Sequence, residues 1–144
     1  MKFVLFYENF KLELCPKTFI EDIKYSNNTS MAVTVQSDGF AGNATMDIGI
    51  KDLCKFAADL CQIYDTLSGE ARIEEPYGLH MYLSFSGDGK GHIMVKGRLH
   101  RGNRTGNENS LEFENYIDQT VLKSFCFPLL SACNEYIPSI EKQG

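Results

Sequence analysis

Two hydrophobic periods divide the chain. Phe10, Leu12 and Leu14 alternate with polar neighbours, and from Phe3 to Leu14 two short strands fit around a Glu8-Asn9 turn. Residues 15–30, with Cys15-Pro16 and the polar run 26–30, read as a departure from the sheet and a return. Met31, Val33 and Val35 alternate next, Asp38-Gly39 supplies a tight turn, and Ala44, Met46 and Ile48 complete a hairpin. Between Ile50 and Leu67 the period changes to that of a helix, with Leu53, Phe56, Ala57, Leu60, Cys61, Tyr64 and Leu67 on one stripe. Gly69 is placed to close its last turn. Period two then returns. A brief alternating segment, residues 70–74, is ended by Pro76. A long hairpin follows, with Leu79, Met81, Leu83 and Phe85 on one strand, Ile93, Val95, Gly97 and Leu99 on the other, and residues 87–91 as its turn. Residues 101–107 read as a polar loop before a last strand carrying Leu111 and Phe113. Asp118 is the N-cap of a second amphipathic helix (Val121, Leu122, Phe125, Cys126, Leu129, Leu130, Cys133), which Pro128 should kink or restart.

Runs of strands punctuated by two helices predict an α+β fold: a single antiparallel sheet of about six to eight strands built from hairpins, with both amphipathic helices packed on one face. The length, 144 residues, suits a single domain over 1–144 with 141–144 as a loose tail. No stretch is long and apolar enough to span a membrane. The N-terminal apolar run ends at Glu8, too soon for a signal peptide, and the five cysteines form no C-x-x-C pair, so reduced core thiols in the cytoplasm are expected. Cys54 and Cys61 are spaced by seven, as are Cys126 and Cys133, each pair on one stripe of its own helix.

A net charge of -5 argues against nucleic acid as the main partner. The charge is uneven. Lys90, Lys96, Arg98, Arg101 and Arg104 against Asp88 make 88–104 basic, whereas Glu108, Glu112, Glu114 and Asp118 leave 108–118 purely acidic.

The open sheet face is where chemistry would sit. It is expected to display Tyr82 and Ser84 beside Met94, Lys96 and Arg98, with Glu112, Glu114 and Tyr116 on the last strand. All three histidines, His80, His92 and His100, fall on the outward phase of one hairpin and read as solvated side chains, with a two-histidine metal site as the alternative. No nucleophile elbow, phosphate loop or cofactor fingerprint is present, so no catalytic, cofactor-binding or metal-ligating residue is assigned. Lys96 and Arg98 should pair across strands with Glu112 and Glu114. The pairs read first as register-setting; because Tyr and Arg are favoured interface anchors, the mixed-charge face is also a candidate protein-docking surface. A basic protein partner would meet Asp52, Asp59 and Asp65 of the first helix, Glu70, Glu74 and Glu75, and Tyr82, Arg98, Glu112 and Glu114. The alternatives are a metal- or small-molecule-dependent enzyme or sensor using the histidines, and a homodimer-forming structural domain.

The segments Leu53-x-x-Phe56-x-x-x-Leu60-x-x-x-Tyr64-x-x-Leu67-Ser68-Gly69-Glu70-Ala71, Gly87-Asp88-Gly89-Lys90-Gly91-His92-Ile93-x-Val95-x-Gly97, Leu111-x-Phe113-Glu114 and Asp118-Gln119-Thr120-x-Leu122-x-x-Phe125 resemble the WapI-like group of small bacterial proteins. The similarity runs over roughly residues 40–130. It implies a cytoplasmic, non-enzymatic immunity protein that occludes the active site of a cognate polymorphic toxin domain, often a nuclease. An acidic antagonist would gain on-rate against a basic toxin from complementary charge.

Overall fold

Alternation in the first third becomes a four-strand meander. Phe3–Tyr7 (β1) and Phe10–Thr18 (β2) are joined at Glu8-Asn9, and Thr29–Ser37 (β3) and Phe40–Ile48 (β4) at Asp38-Gly39. Both turns are left-handed, with φ of 52° at Glu8, 47° at Asp38 and 86° at Gly39, the geometry that matches the twist of a hairpin. Pro16 is tolerated in β2 because β1 ends opposite Leu14, leaving the proline without a neighbour on that side. The computed structural model describes residues 1–76, 81–102 and 106–143. After helix α1 (Ile50–Thr66) come Ser68–Glu74 (β5), Tyr82–Asp88 (β6), His92–Gly102 (β7) and Glu108–Asp118 (β8), then helices Lys123–Asn134 (α2) and Ile137–Gln143 (α3).

The α+β class and the antiparallel hairpins are as expected, but the single sheet is not. The strands form two four-stranded sheets, ordered β1-β2-β3-β4 and β5-β6-β7-β8. The break falls at α1, whose 17 residues carry the chain roughly 25 Å, so that β4 and β5 never become ladder partners. Side chains join the sheets instead. β8 crosses the turn end of the first sheet, with the Phe113 ring 5.9 Å from that of Phe10 and Asn115 Nδ2 donating to Ser37 Oγ at 2.6 Å. Beside β4, Arg101 donates to Asn43 Oδ1 at 3.1 Å, and the Asp47 N–H donates to Glu75 Oε2 at 2.9 Å.

Both sheets turn their apolar faces to the helices. Leu12, Met31, Val33 and Met46 from one, and Leu83, Phe85, Val95 and Ile117 from the other, share a buried core with Phe56, Leu60, Phe125 and Leu129. Phe85 is central: its ring meets Phe56 edge-on at 5.9 Å and stacks on Phe125 at 6.3 Å. Among the described residues no helix is long and apolar enough to cross a membrane.

Several local expectations are corrected. Leu67, not Gly69, takes the left-handed conformation that ends α1 (φ 64°), and Gly69 lies within β5. The Leu67 conformation, costly for a side chain, is held by two hydrogen bonds: its N–H donates to Ile63 O at 2.7 Å and its carbonyl accepts from Gly89 N at 2.8 Å. That approach requires glycine at 87, where a Cβ would lie 2.4 Å from Leu67 O. α2 does not restart at Pro128 but runs through it from Lys123 to Asn134, and α3 extends to Gln143. Asp118 caps a single 3₁₀ turn, Gln119–Val121, just before α2. The predicted 101–107 loop is shorter than expected, since β7 continues through Gly102; residues 103–105 lie outside the described residues, as do Leu79 and His80.

The undecided segment before β3 is organised by one buried side chain. Asn28 donates to the carbonyls of Ile23 (3.1 Å) and Tyr25 (3.0 Å), while its Oδ1 accepts from Ile50 N (2.8 Å) and Thr29 Oγ1 (2.9 Å). It thereby supplies the cap that Gly49, at the start of α1, lacks. Asn28→Ala should cost about 3 kcal/mol in urea unfolding, because it strands a helix N–H and two carbonyls in the interior. A loss below about 0.5 kcal/mol would contradict this role.

Candidate functional site

With the inward faces consumed by the core, the outward face of the second sheet carries the polar side chains in register. One row reads Glu74, Tyr82, Arg98, Glu112 across the four strands; the next reads Arg72, Ser84, Lys96, Glu114; the third reads Glu70, Ser86, Met94, Tyr116. Arg98 thus lies in a row that ends on Glu112 of β8 and Glu74 of β5, whereas the row of Lys96 ends on Glu114 of β8 and Arg72 of β5. Lys96 Nζ is 3.4 Å from Glu114 and Arg98 Nε is 3.8 Å from Glu112, the two cross-strand pairs the alternation predicts. At the other edge Arg72 bonds Glu74 at 3.1 Å and lies 4.2 Å over the Tyr82 ring. Such exposed pairs contribute at most about 1 kcal/mol each, so they set register and charge pattern more than stability.

Of the candidate docking residues, Glu70, Glu74, Tyr82, Arg98, Glu112 and Glu114 are brought together on this face. Asp52, Asp59 and Asp65 are not. They lie on α1, which packs against the inward side of the sheet, and Asp59 is engaged with Lys55 at 2.8 Å. Glu75 is buried, its carboxylate occupied by the backbone of β4, which removes it from the surface.

The histidines separate. His92 is exposed at the start of β7, 3.2 Å from Asp88. His100 was expected on the solvated face but is 7% exposed, with Nε2 3.6 Å from Glu108 and Nδ1 buried without a hydrogen bond. Eight residues of extended strand put them roughly 26 Å apart, too far to share an ion. His80 lies outside the described residues. Among the described residues no group of three or more His, Cys, Asp or Glu side chains is arranged to hold a metal.

A second feature lies outside the sequence-predicted residues. The two left-handed turns of the first sheet lie side by side, Asp38 N donating to Asn9 O at 3.1 Å, and with Phe6 and Phe40 they border an open groove of about 580 Å³. Phe6 is 62% and Phe40 69% exposed. The available signals were the outward phase of Phe6 in β1 and the position of Phe40 directly after a turn. A smaller groove continues from Phe40 to Glu112 and Glu114 of β8, linking the aromatic end to the charged face.

The two-sheet α+β fold therefore presents one polar outer face whose side chains are set in rows by the register of β5–β8. The chain matches the Immunity protein WapI-like family over residues 6–136 and belongs to that family. No curated protein matches it.

Two measurements check this geometry. Glu75→Ala should destabilise by about 2 kcal/mol, by stranding the Asp47 N–H, while Glu74→Ala, on the open face, changes stability by less than about 0.5 kcal/mol. Thr120 hydrogen bonds hold the Asp118 carboxyl below its usual range, and the Lys90 N–H does the same for Asp88. A depressed folded value means that their stabilisation is complete above about pH 4 and is lost as pH falls through it. Asp118→Asn should therefore flatten the fall in melting temperature as pH drops below about 4; an unchanged slope would contradict the assignment.

Proposed function

We propose that this protein is a cytoplasmic, non-enzymatic antagonist that binds a cognate toxin domain and blocks it by occlusion. The family match over residues 6–136 carries the reading, because immunity proteins act on a protein toxin. The outer face supports it: Tyr82 and Arg98 are anchor-type residues, and Glu70, Glu74, Glu112 and Glu114 form acidic edges that suit a basic partner, such as a nuclease-type toxin domain. A net charge of -5 works in the same direction by steering a basic partner inward.

The test is titration calorimetry and a toxicity-rescue assay with the toxin domain encoded beside this chain. Stoichiometric binding that abolishes toxicity is expected. Glu112→Lys combined with Glu114→Lys should slow association at least about tenfold at low salt, with melting temperature little changed. Absence of both binding and rescue would refute the antagonist role. Unchanged association by the double variant would move the interface off this face.

A further inference from the structure

The seven-residue spacing of cysteines within each helix acquires a second meaning once the helices are placed. α1 and α2 pack antiparallel, so that one cysteine of each spacing meets one of the other. Cys54 Sγ lies 3.4 Å from the Cys133 carbonyl oxygen and in side-chain contact with the Cys133 thiol. Further along, the Tyr64 ring of α1 meets that of Phe127 of α2 at 5.6 Å, and this antiparallel register sets Cys61 beside Cys126, seven residues along α1 and seven back along α2. Packing alone would be satisfied by alanine or valine at these positions; two successive thiol pairs in one register are a more specific arrangement. Cys15 stands apart, exposed on β2.

We propose that the helix interface is an oxidation site at which a hydroperoxide converts four of the five thiols into Cys54–Cys133 and Cys61–Cys126 disulfides, two rungs that fasten α1 to α2. This goes beyond the antagonist reading and does not depend on it. The chemistry closes without a further reactant. The half-buried Cys54 sulfur attacks the peroxide, the O–O bond breaks, and a sulfenic acid and water (an alcohol for an organic peroxide) result. Cys133 sulfur then attacks the sulfenic sulfur, the S–O bond breaks, and the hydroxyl leaves as water with the thiol proton. Each pair of thiols gives up two electrons to one peroxide.

The rungs differ in readiness. The contact with Cys133 holds the Cys54 thiol below its usual range and, with burial, pushes Cys133 up, so Cys54 is the attacking sulfur. In the other pair burial raises Cys61 and pushes Cys126 up to about 12, so no thiolate is favoured and the second rung forms more slowly.

The experiment treats the folded full chain with hydrogen peroxide, quenches by alkylation in denaturant and counts free thiols by mass. The five thiols should fall to three and then to one, with Cys15 remaining. Trypsin should release the peptide 124–142, which carries both Cys126 and Cys133, cross-linked to 52–55 and to 56–72. Cys54→Ser should abolish the first rung and leave the second forming at its own rate. Reductant should restore all five thiols. Five thiols surviving the treatment, bridges that include Cys15, or a Cys126–Cys133 link within one helix would each overturn the proposal.

Discussion

The stripe of α1 is the constraint on which the rest depends. Each sheet presents one apolar face, and neither face can be covered by a partner sheet alone, because the sheets meet mainly through side chains at the turn end and beside β4. Phe56, Ala57, Leu60 and Ile63 are fully buried and, together with Phe125 and Leu129 of α2, fill the space that both faces enclose. A large side chain buried in this way is worth roughly 2 kcal/mol, so the stripe is a major part of the stability of both sheets. The ends of α1 are fixed accordingly. Asn28 anchors the start to the loop that precedes β3, and Leu67, pinned by Gly89 and given room by Gly87, anchors the end to the β6–β7 hairpin.

What could be read from the sequence follows from this. Alternation fixes the phase of a strand, and a shift of one residue would expose the core, so the pairing of Lys96 with Glu114 and Arg98 with Glu112 is legible in the sequence alone. The break into two sheets was not, because periodicity says which face is buried and nothing of which edge finds a neighbour. The same gap explains Leu67. Gly69 is the better left-handed residue by local rules, but the position of the turn is set by a backbone contact with a hairpin some twenty residues later. Glu75 and His100 are polar residues whose burial comes from elements distant in sequence: β4 hydrogen-bonds Glu75 and, through Asn43, the neighbour of His100. Asn28 carried no signal beyond its place in a polar run.

For function, the division of labour matters more than any single residue. The inward phases of all eight strands are committed to the core, which leaves the outer face of β5–β8 and the aromatic turn end available for a partner at little cost to folding. The candidate site was accordingly half legible: the sheet residues came together as their phase required, whereas the α1 acids belong to another side of the molecule and the exposed Phe6 and Phe40 emerged only with the fold. A preformed surface of this kind suits a protein that blocks its target by covering it, since no ordering of the chain has to be offset by binding.

The claim that a rigid outer surface does the binding while the core stays as it is can be tested most directly by hydrogen–deuterium exchange, comparing the free protein with its complex with the toxin domain. The account predicts slowed exchange confined to exposed amides of β5–β8 and the adjoining turn end, with the α1–α2 interface unchanged. Slowing that spreads through α1 and α2, as in folding upon binding, would contradict it.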